Sequence, residues 1–163
     1  MSLNHSFLGR YFHLISKKYI GAFTYKLSHL DLERHFYILT LIDGEQEVTQ
    51  KGLGAFLDID KVSMSRIIDY LVQMKYVVRQ PKSCDRRAFS LKLTQKAQDI
   101  IPEIKQTIEE LNKAAFNGIS DEEAAYFYKV SEKITSNLIQ MPLNDVTIKY
   151  KHPQKTTLKS NEK

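Results

Sequence analysis

Between Asp60 and Leu93 the apolar residues change their spacing from one in three or four to one in two. That change leaves little besides a helix followed by a β-hairpin. Met64, Ile67, Ile68, Leu71 and, at the margin, Met74 fall on one stripe of a helix capped by Asp60, leaving Val62, Arg66, Asp69 and Gln73 on the other side. Tyr76 to Gln80 and Ala88 to Leu93 then alternate as strands, with polar Pro81 to Arg87 between them as the hairpin loop. From Lys61 to Lys96 the chain carries nine basic residues against two acidic ones, a local charge of +7 where the whole chain carries +5. Basic charge held on a folded helix and hairpin, rather than on a tail, suits a polyanion and the grooves of duplex DNA.

The flanking segments are helical. Phe7, Leu8, Tyr11, Phe12, Ile15, Tyr19, Ala22, Phe23, Leu27 and Leu30 mark a long, aromatic-rich amphipathic helix. A second helix is expected over Leu32 to Ile42, ending at Asp43-Gly44, and a short third one runs from a Thr49 cap to about Leu57. After the hairpin, Thr94 caps a helix with core positions Ala97, Ile101, Ile104, Ile108, Leu111 and Ala115. Ser120 to Glu123 form a capping box for a last helix bearing Ala124, Phe127, Tyr128, Ser131, Ile134 and Leu138 on one stripe. The pattern fails from Met141, where five lysines face two acids in what reads as a flexible basic tail.

The 163 residues suffice for one well-cored domain, and no apolar run reaches the length of a membrane span. With no signal-peptide pattern and a single cysteine, Cys84, the expected compartment is the cytoplasm. His29, Asp31, Glu33 and His35 are the only local cluster of metal-ligand types, and they read as a polar turn, so no metal or cofactor is expected. No nucleophile and base stand in a motif context, and no glycine-rich phosphate loop is present, so nothing argues for an enzyme.

Within the helix after Asp60, Arg66 can reach a guanine edge with two hydrogen bonds, while the Ser63 and Ser65 hydroxyls reach phosphates or base edges. In the hairpin, an arginine of Asp85-Arg86-Arg87 can enter a narrow, electronegative minor groove.

Thr49-Gln50-Lys51 with Leu53, then Ile59-Asp60-Lys61, Ser63, Ser65-Arg66, Asp69 and Leu71, then Asp85-Arg86-Arg87-Ala88 and Leu93-Thr94, resemble in order and spacing the MarR/SlyA transcription regulators. The resemblance spans roughly Leu30 to Leu138. It implies a mainly α fold with a small β wing, a winged helix-turn-helix with dimerisation helices at both ends. Residues 1–140 would form one domain, with the winged lobe at 31–93, the dimerisation helices at 5–30 and 94–140, and the tail at 141–163. It also implies a homodimer whose paired recognition helices enter successive major grooves of a pseudo-palindromic operator. The DNA-binding residues implied are Thr49, Gln50, Lys61, Val62, Ser63, Ser65, Arg66, Asp69, Arg86 and Arg87. By the same resemblance Asp69 pairs with a wing arginine, Arg87 being preferred and Arg86 left to read the groove.

Relatives also bind small aromatic or phenolic effectors between the dimer helices and the DNA-binding lobe. The positions so implied are Tyr11, Phe12, Ile15, Tyr19, Phe23 and Tyr37. The expected function is a sequence-specific double-stranded DNA-binding regulator, a repressor tuned by such an effector. The competing reading is a dimeric winged-helix scaffold for protein partners. The chain departs from the family in placing Asp58 where a turn glycine is usual, and Gly52 and Gly54 inside the short helix predict a soft element relying on Leu53, Phe56 and Leu57.

Overall fold

The computed structural model describes residues 7–30, 32, 35–45, 47–82, 85–139 and 141–142, with backbone alone for 82 and 85–88. Among the described residues six helices and one hairpin follow in the order α1 Leu8–Lys26, α2 Phe36–Gly44, α3 Gln50–Leu57, α4 Lys61–Gln73, β1 Val77–Lys82, β2 Asp85–Leu93, α5 Gln95–Ala115 and α6 Asp121–Ile139. This is the order of helices and hairpin that the spacing of the apolar residues predicts, and the mainly α architecture with a small β wing that the resemblance implies. No helix among the described residues is long and apolar enough to cross a membrane.

Residues 1–118 form one unit. Its core joins Leu27 and Leu32 to Phe36 and Leu39 of α2, Met64, Ile68 and Leu71 of α4, Val77 and Leu91 of the hairpin, and Ala97, Ile101 and Ile104 of α5. The helix stripes read from sequence face the core in α4 and α5, with Ile67, Met74 and Ile108 half-buried against it and two changes in α5. Ala115 is exposed, and the unforeseen Thr107 is buried. In α1 only Phe23 is buried, set edge-on against Phe36 at 5.3 Å between ring centres. Tyr11, Phe12, Ile15 and Ile20 remain exposed on the same helix.

Two boundaries move. The second helix begins at Phe36 rather than Leu32, because Leu32 is already buried in a tight turn where its N–H donates to Leu30 and its carbonyl accepts from His35. The hairpin is longer than expected, with strands reaching Lys82 and resuming at Asp85, where Pro81 to Arg87 reads as loop. Pro81 pairs in register with Phe89, and a bulge follows between Pro81 and Lys82. Proline is tolerated there because each strand of a two-stranded ribbon is an edge and need not donate on both sides.

The junction of α4 and β1 is a Schellman turn. Lys75 takes the left-handed conformation at φ 61°, its N–H bonds to the Val72 carbonyl, and the Tyr76 N–H bonds to the Leu71 carbonyl at 2.9 Å. Thr94 closes the far end of the hairpin by donating its hydroxyl to the Lys75 carbonyl at 2.7 Å, while accepting from the Ala97 N–H as the cap of α5.

Residues 119–163 form a second unit, of which α6 is the described element. Its capping box is present as read. Glu123 accepts from the Ser120 N–H at 2.9 Å and from the Ser120 hydroxyl at 3.0 Å, bonds that hold its carboxyl below the usual range. No residue of α6 is buried, and Tyr126, Leu138 and Ile139 are exposed. The expected basic tail lies outside the described residues, apart from Met141 and Pro142.

Candidate nucleic-acid interface

Helices α3 and α4 are joined by a turn that only certain residues can make. Thr49 caps α3 by accepting from the Gly52 N–H at 3.0 Å. At its other end Asp58 adopts φ 51° and ψ 45°, so the aspartate does take the left-handed conformation that glycine would supply. The Asp58 and Ile59 N–H groups both point to the Gly54 carbonyl, the latter at 2.9 Å. Gly54 is buried, and a Cβ there would meet the Ile59 carbonyl oxygen at 3.0 Å. Its presence inside the helix is thus a packing requirement. Leu53 is buried as expected, whereas Phe56, expected to pack, is exposed.

The next residue, Asp60, caps α4. Its carboxylate accepts from the N–H groups of Val62 at 2.8 Å and Ser63 at 3.0 Å. A side-chain hydrogen bond from Ser63, with those backbone bonds and the nearby Arg66 charge, holds the carboxyl below its ordinary value. The core-facing stripe of α4 is Met64, Ile68 and Leu71, so Lys61, Val62, Arg66 and Asp69 are left exposed, with Ser63 and Ser65 half-buried.

Asp69 has a partner from the wing. Arg79 of β1 donates through Nη2 to the Asp69 carboxylate at 2.6 Å and reaches Gln50 Oε1 at 3.4 Å, while the Ser65 hydroxyl lies 3.4 Å from the other Asp69 oxygen. One arginine therefore ties α3, α4 and the wing together, and a carboxylate on a basic face becomes part of an ion pair. The resemblance implies a wing arginine at Asp69 and favours Arg87, whereas the structure supplies Arg79. The side chains of Arg86 and Arg87, and Cys84 altogether, lie outside the described residues. The signal for Arg79 was present in the two-residue rhythm, which puts it on the same strand face as buried Val77.

A further tie comes from the segment between α2 and α3, where Val48 pairs with Leu91 and its carbonyl accepts the Leu91 N–H at 2.8 Å. Between α3, the start of α4 and the wing lies a cavity of about 800 Å³ whose wall includes Thr49, Gln50, Lys51, Lys61, Arg79 and Phe89. The expected DNA-binding residues Thr49, Gln50 and Lys61 are thereby gathered into one region with the α4 face.

The positions expected to hold an effector are spread out. Tyr11, Phe12 and Ile15 are exposed on α1, Tyr37 is exposed on α2, and Phe23 is in the core. Tyr19 donates its hydroxyl to Asn112 of α5 at 2.8 Å. None of the six lines the cavity beside the wing. His29 pairs with Glu103 at 2.9 Å and His35 packs on the Tyr70 ring, while Asp31 and Glu33 lie outside the described residues. Among the described residues no three or more histidine, cysteine or acidic side chains converge as a metal site.

A helix pair turned through a left-handed residue, an exposed basic second helix and an adjoining two-stranded ribbon define a winged helix-turn-helix protein. The family model described as MarR family matches residues 30–88. Solved structures agree over most of the chain. The transcriptional regulator SlyA superposes with a TM-score of 0.75 at 18% identity, covering 82% of this chain and 94% of its own. A mutant MarR from E. coli complexed with operator DNA gives 0.70 at 26% identity, over 78% and 92%. A putative MarR family transcriptional regulator from Listeria monocytogenes complexed with 26mer DNA gives 0.73 at 21%, over 80% and 88%. Over residues 30–88 the chain thus matches the MarR family model, and over most of its length it shares the fold of these regulators.

Proposed function

We propose that the protein is a homodimeric, sequence-specific double-stranded DNA-binding transcription regulator, a repressor of a pseudo-palindromic operator. The observation that carries this reading is the α4 face. It presents Lys61, Val62, Ser63, Ser65 and Arg66 beside a basic wing, and its one carboxylate outside the cap, Asp69, is neutralised by Arg79. Thr49 and Gln50 at the start of α3, with Arg86 and Arg87 on the wing, complete the proposed contact set. The MarR and Listeria relatives bound to DNA support it.

The lobe of residues 31–93 would carry the DNA contacts, and residues 5–30 and 94–140 the dimer contact, within a single domain of 1–140. The exposed apolar side chains of α1 and α6 favour this, because such faces on a folded chain mark surfaces for a partner. The lysines of 141–163 add sequence-independent attraction to phosphates. Weakening of operator binding by a small aromatic or phenolic effector is part of the proposal, with Tyr11, Phe12, Ile15, Tyr19, Phe23 and Tyr37 as its candidate contacts. The protein works by binding rather than catalysis, in the cytoplasm.

Selection of bound duplexes from a random pool, followed by binding at several salt concentrations, tests the reading. A recovered pseudo-palindrome bound with a steep salt dependence is expected. Failure to enrich any duplex, with a shallow salt slope, would leave a protein-binding scaffold as the better description.

A further inference from the structure

The exposed face of α4 contains one side chain that its basic and hydroxylic neighbours do not explain. Val62, in the first turn, is 59% exposed between Lys61 and half-buried Ser63, and the core stripe of α4 is complete without it. A β-branched side chain in a helix keeps essentially one rotamer, so its two methyl groups are fixed in space. Arg66 follows four residues later, on the same face and about 5–6 Å away between Cβ atoms.

Base edges in the major groove offer one apolar group, the C5-methyl of thymine, and every other feature there is a hydrogen-bond donor or acceptor. An exposed valine on a positively charged face suits that methyl, the apolar group that projects furthest from a base edge into the major groove. Resting on the DNA-binding reading above, we propose that Val62 is a specificity-determining residue. It packs against the C5-methyl of a thymine in each half-site, one or two base pairs from the guanine read by Arg66. The offset follows from setting the 5–6 Å between the two Cβ atoms against roughly 3.4 Å per base pair.

Deoxyuridine in place of thymidine removes that methyl and changes nothing else on the base edge. The full chain is titrated at fixed salt against the duplex recovered by selection, with each thymine replaced in turn. At one thymine per half-site the replacement should weaken wild-type binding about three- to tenfold, the effect of withdrawing one methyl from an apolar contact. Val62→Ala should bind the thymine and uracil duplexes alike, close to the wild type on the uracil duplex. Val62→Thr, which keeps one γ-methyl and the β-branch, should retain part of the discrimination. Since Val62 is exposed, thermal melts of both variants should match the wild type.

The proposal is overturned if every uracil duplex binds the wild type as tightly as its parent, or if the penalty persists undiminished in Val62→Ala. It is equally overturned if no thymine falls within two base pairs of the guanine lost to Arg66→Ala. In those cases the enriched duplex still upholds the DNA-binding reading. If no duplex is enriched at all, that reading fails and the proposal with it.

Discussion

The carbonyl oxygen of Ile59 stands 3.0 Å from the point where a side chain on Gly54 would begin, and the Ile59 N–H donates to the Gly54 carbonyl at 2.9 Å. The chain leaving α3 thus folds back against the helix it has just left, and a hydrogen atom on Gly54 is what permits it. Gly54→Ala should destabilise by about 1 to 3 kcal/mol despite alanine's better helix propensity, since the obstructing atom is backbone. Gly44, with open space around it, supplies the control. Thermal denaturation should show a lowered Tm for Gly54→Ala and an unchanged or raised one for Gly44→Ala.

The Arg79 to Asp69 pair is partly exposed, so its direct contribution to stability should be only about 0.2 to 1 kcal/mol. Its larger effect should appear on DNA. Freed from Asp69 and Gln50, the wing strand and α4 lose a shared anchor and must be ordered again on binding. Arg79→Ala and Asp69→Ala should each weaken binding to the selected duplex, with a coupling of about 0.5 to 3 kcal/mol in a double-mutant cycle. If Asp69→Ala strengthened binding, the carboxylate would be acting by repulsion alone.

Arg66→Ala should lose about 1 to 3 kcal/mol on the specific duplex and relax preference at one position in each half-site. Repeating the selection with the variant reads this directly, because a lost phosphate contact would weaken all sequences equally and leave the recovered site unchanged.

Acid should loosen the start of α4. The Asp60 carboxyl is held below its ordinary value of 3.8 by Ser63, Val62 and Arg66, so the folded state binds that proton less readily than the unfolded chain. Its stabilising contribution is therefore complete above about pH 4 and is lost as pH falls through the lowered value. Asp60→Asn keeps an acceptor without the proton equilibrium. Its Tm should fall less than that of the wild type between about pH 6 and about pH 3, with the remaining loss due to carboxyls such as Glu110, beside Lys26, and Glu123.

Ile15 on α1 and Leu138 on α6 are about half exposed, so an aspartate at either position should leave the chain folded while breaking a dimer built on those helices. Sedimentation velocity should show monomer for Ile15→Asp and Leu138→Asp, with circular dichroism unchanged. A wild type that is itself monomeric at working concentration would refute the dimer.

How far the fold was legible depended on the range of the interactions that set it. Thr49, Asp60, Thr94 and Ser120 cap their helices where the sequence places them, because each cap is settled within three residues. The start of α2 was misplaced because burial of Leu32 looks the same in a turn as in a helix. Gly54 read as a weakness because its clashing neighbour is the backbone of a residue in the next turn. At the interface, the α4 face could be read from helical period alone. Which arginine takes Asp69 is harder to read, since Arg86 and Arg87 also follow it within a short stretch and only the strand alternation that sets Arg79 on the face of Val77 separates them.

The pairing of Val48 with Leu91 bears on the order in which the lobe assembles. The hairpin closes between strands adjacent in the chain, and α3 meets α4 across a single turn, so both can form early at little cost in loop entropy. The Val48 to Leu91 bond joins the segment before α3 to the second strand of the hairpin, and such a non-local contact should become favourable only once both have formed. Weakening it should speed unfolding more than it slows folding, because the contact belongs to the late side of the barrier. The lobe's resistance to transient opening should therefore depend in part on that one strand-like residue, outside any regular strand.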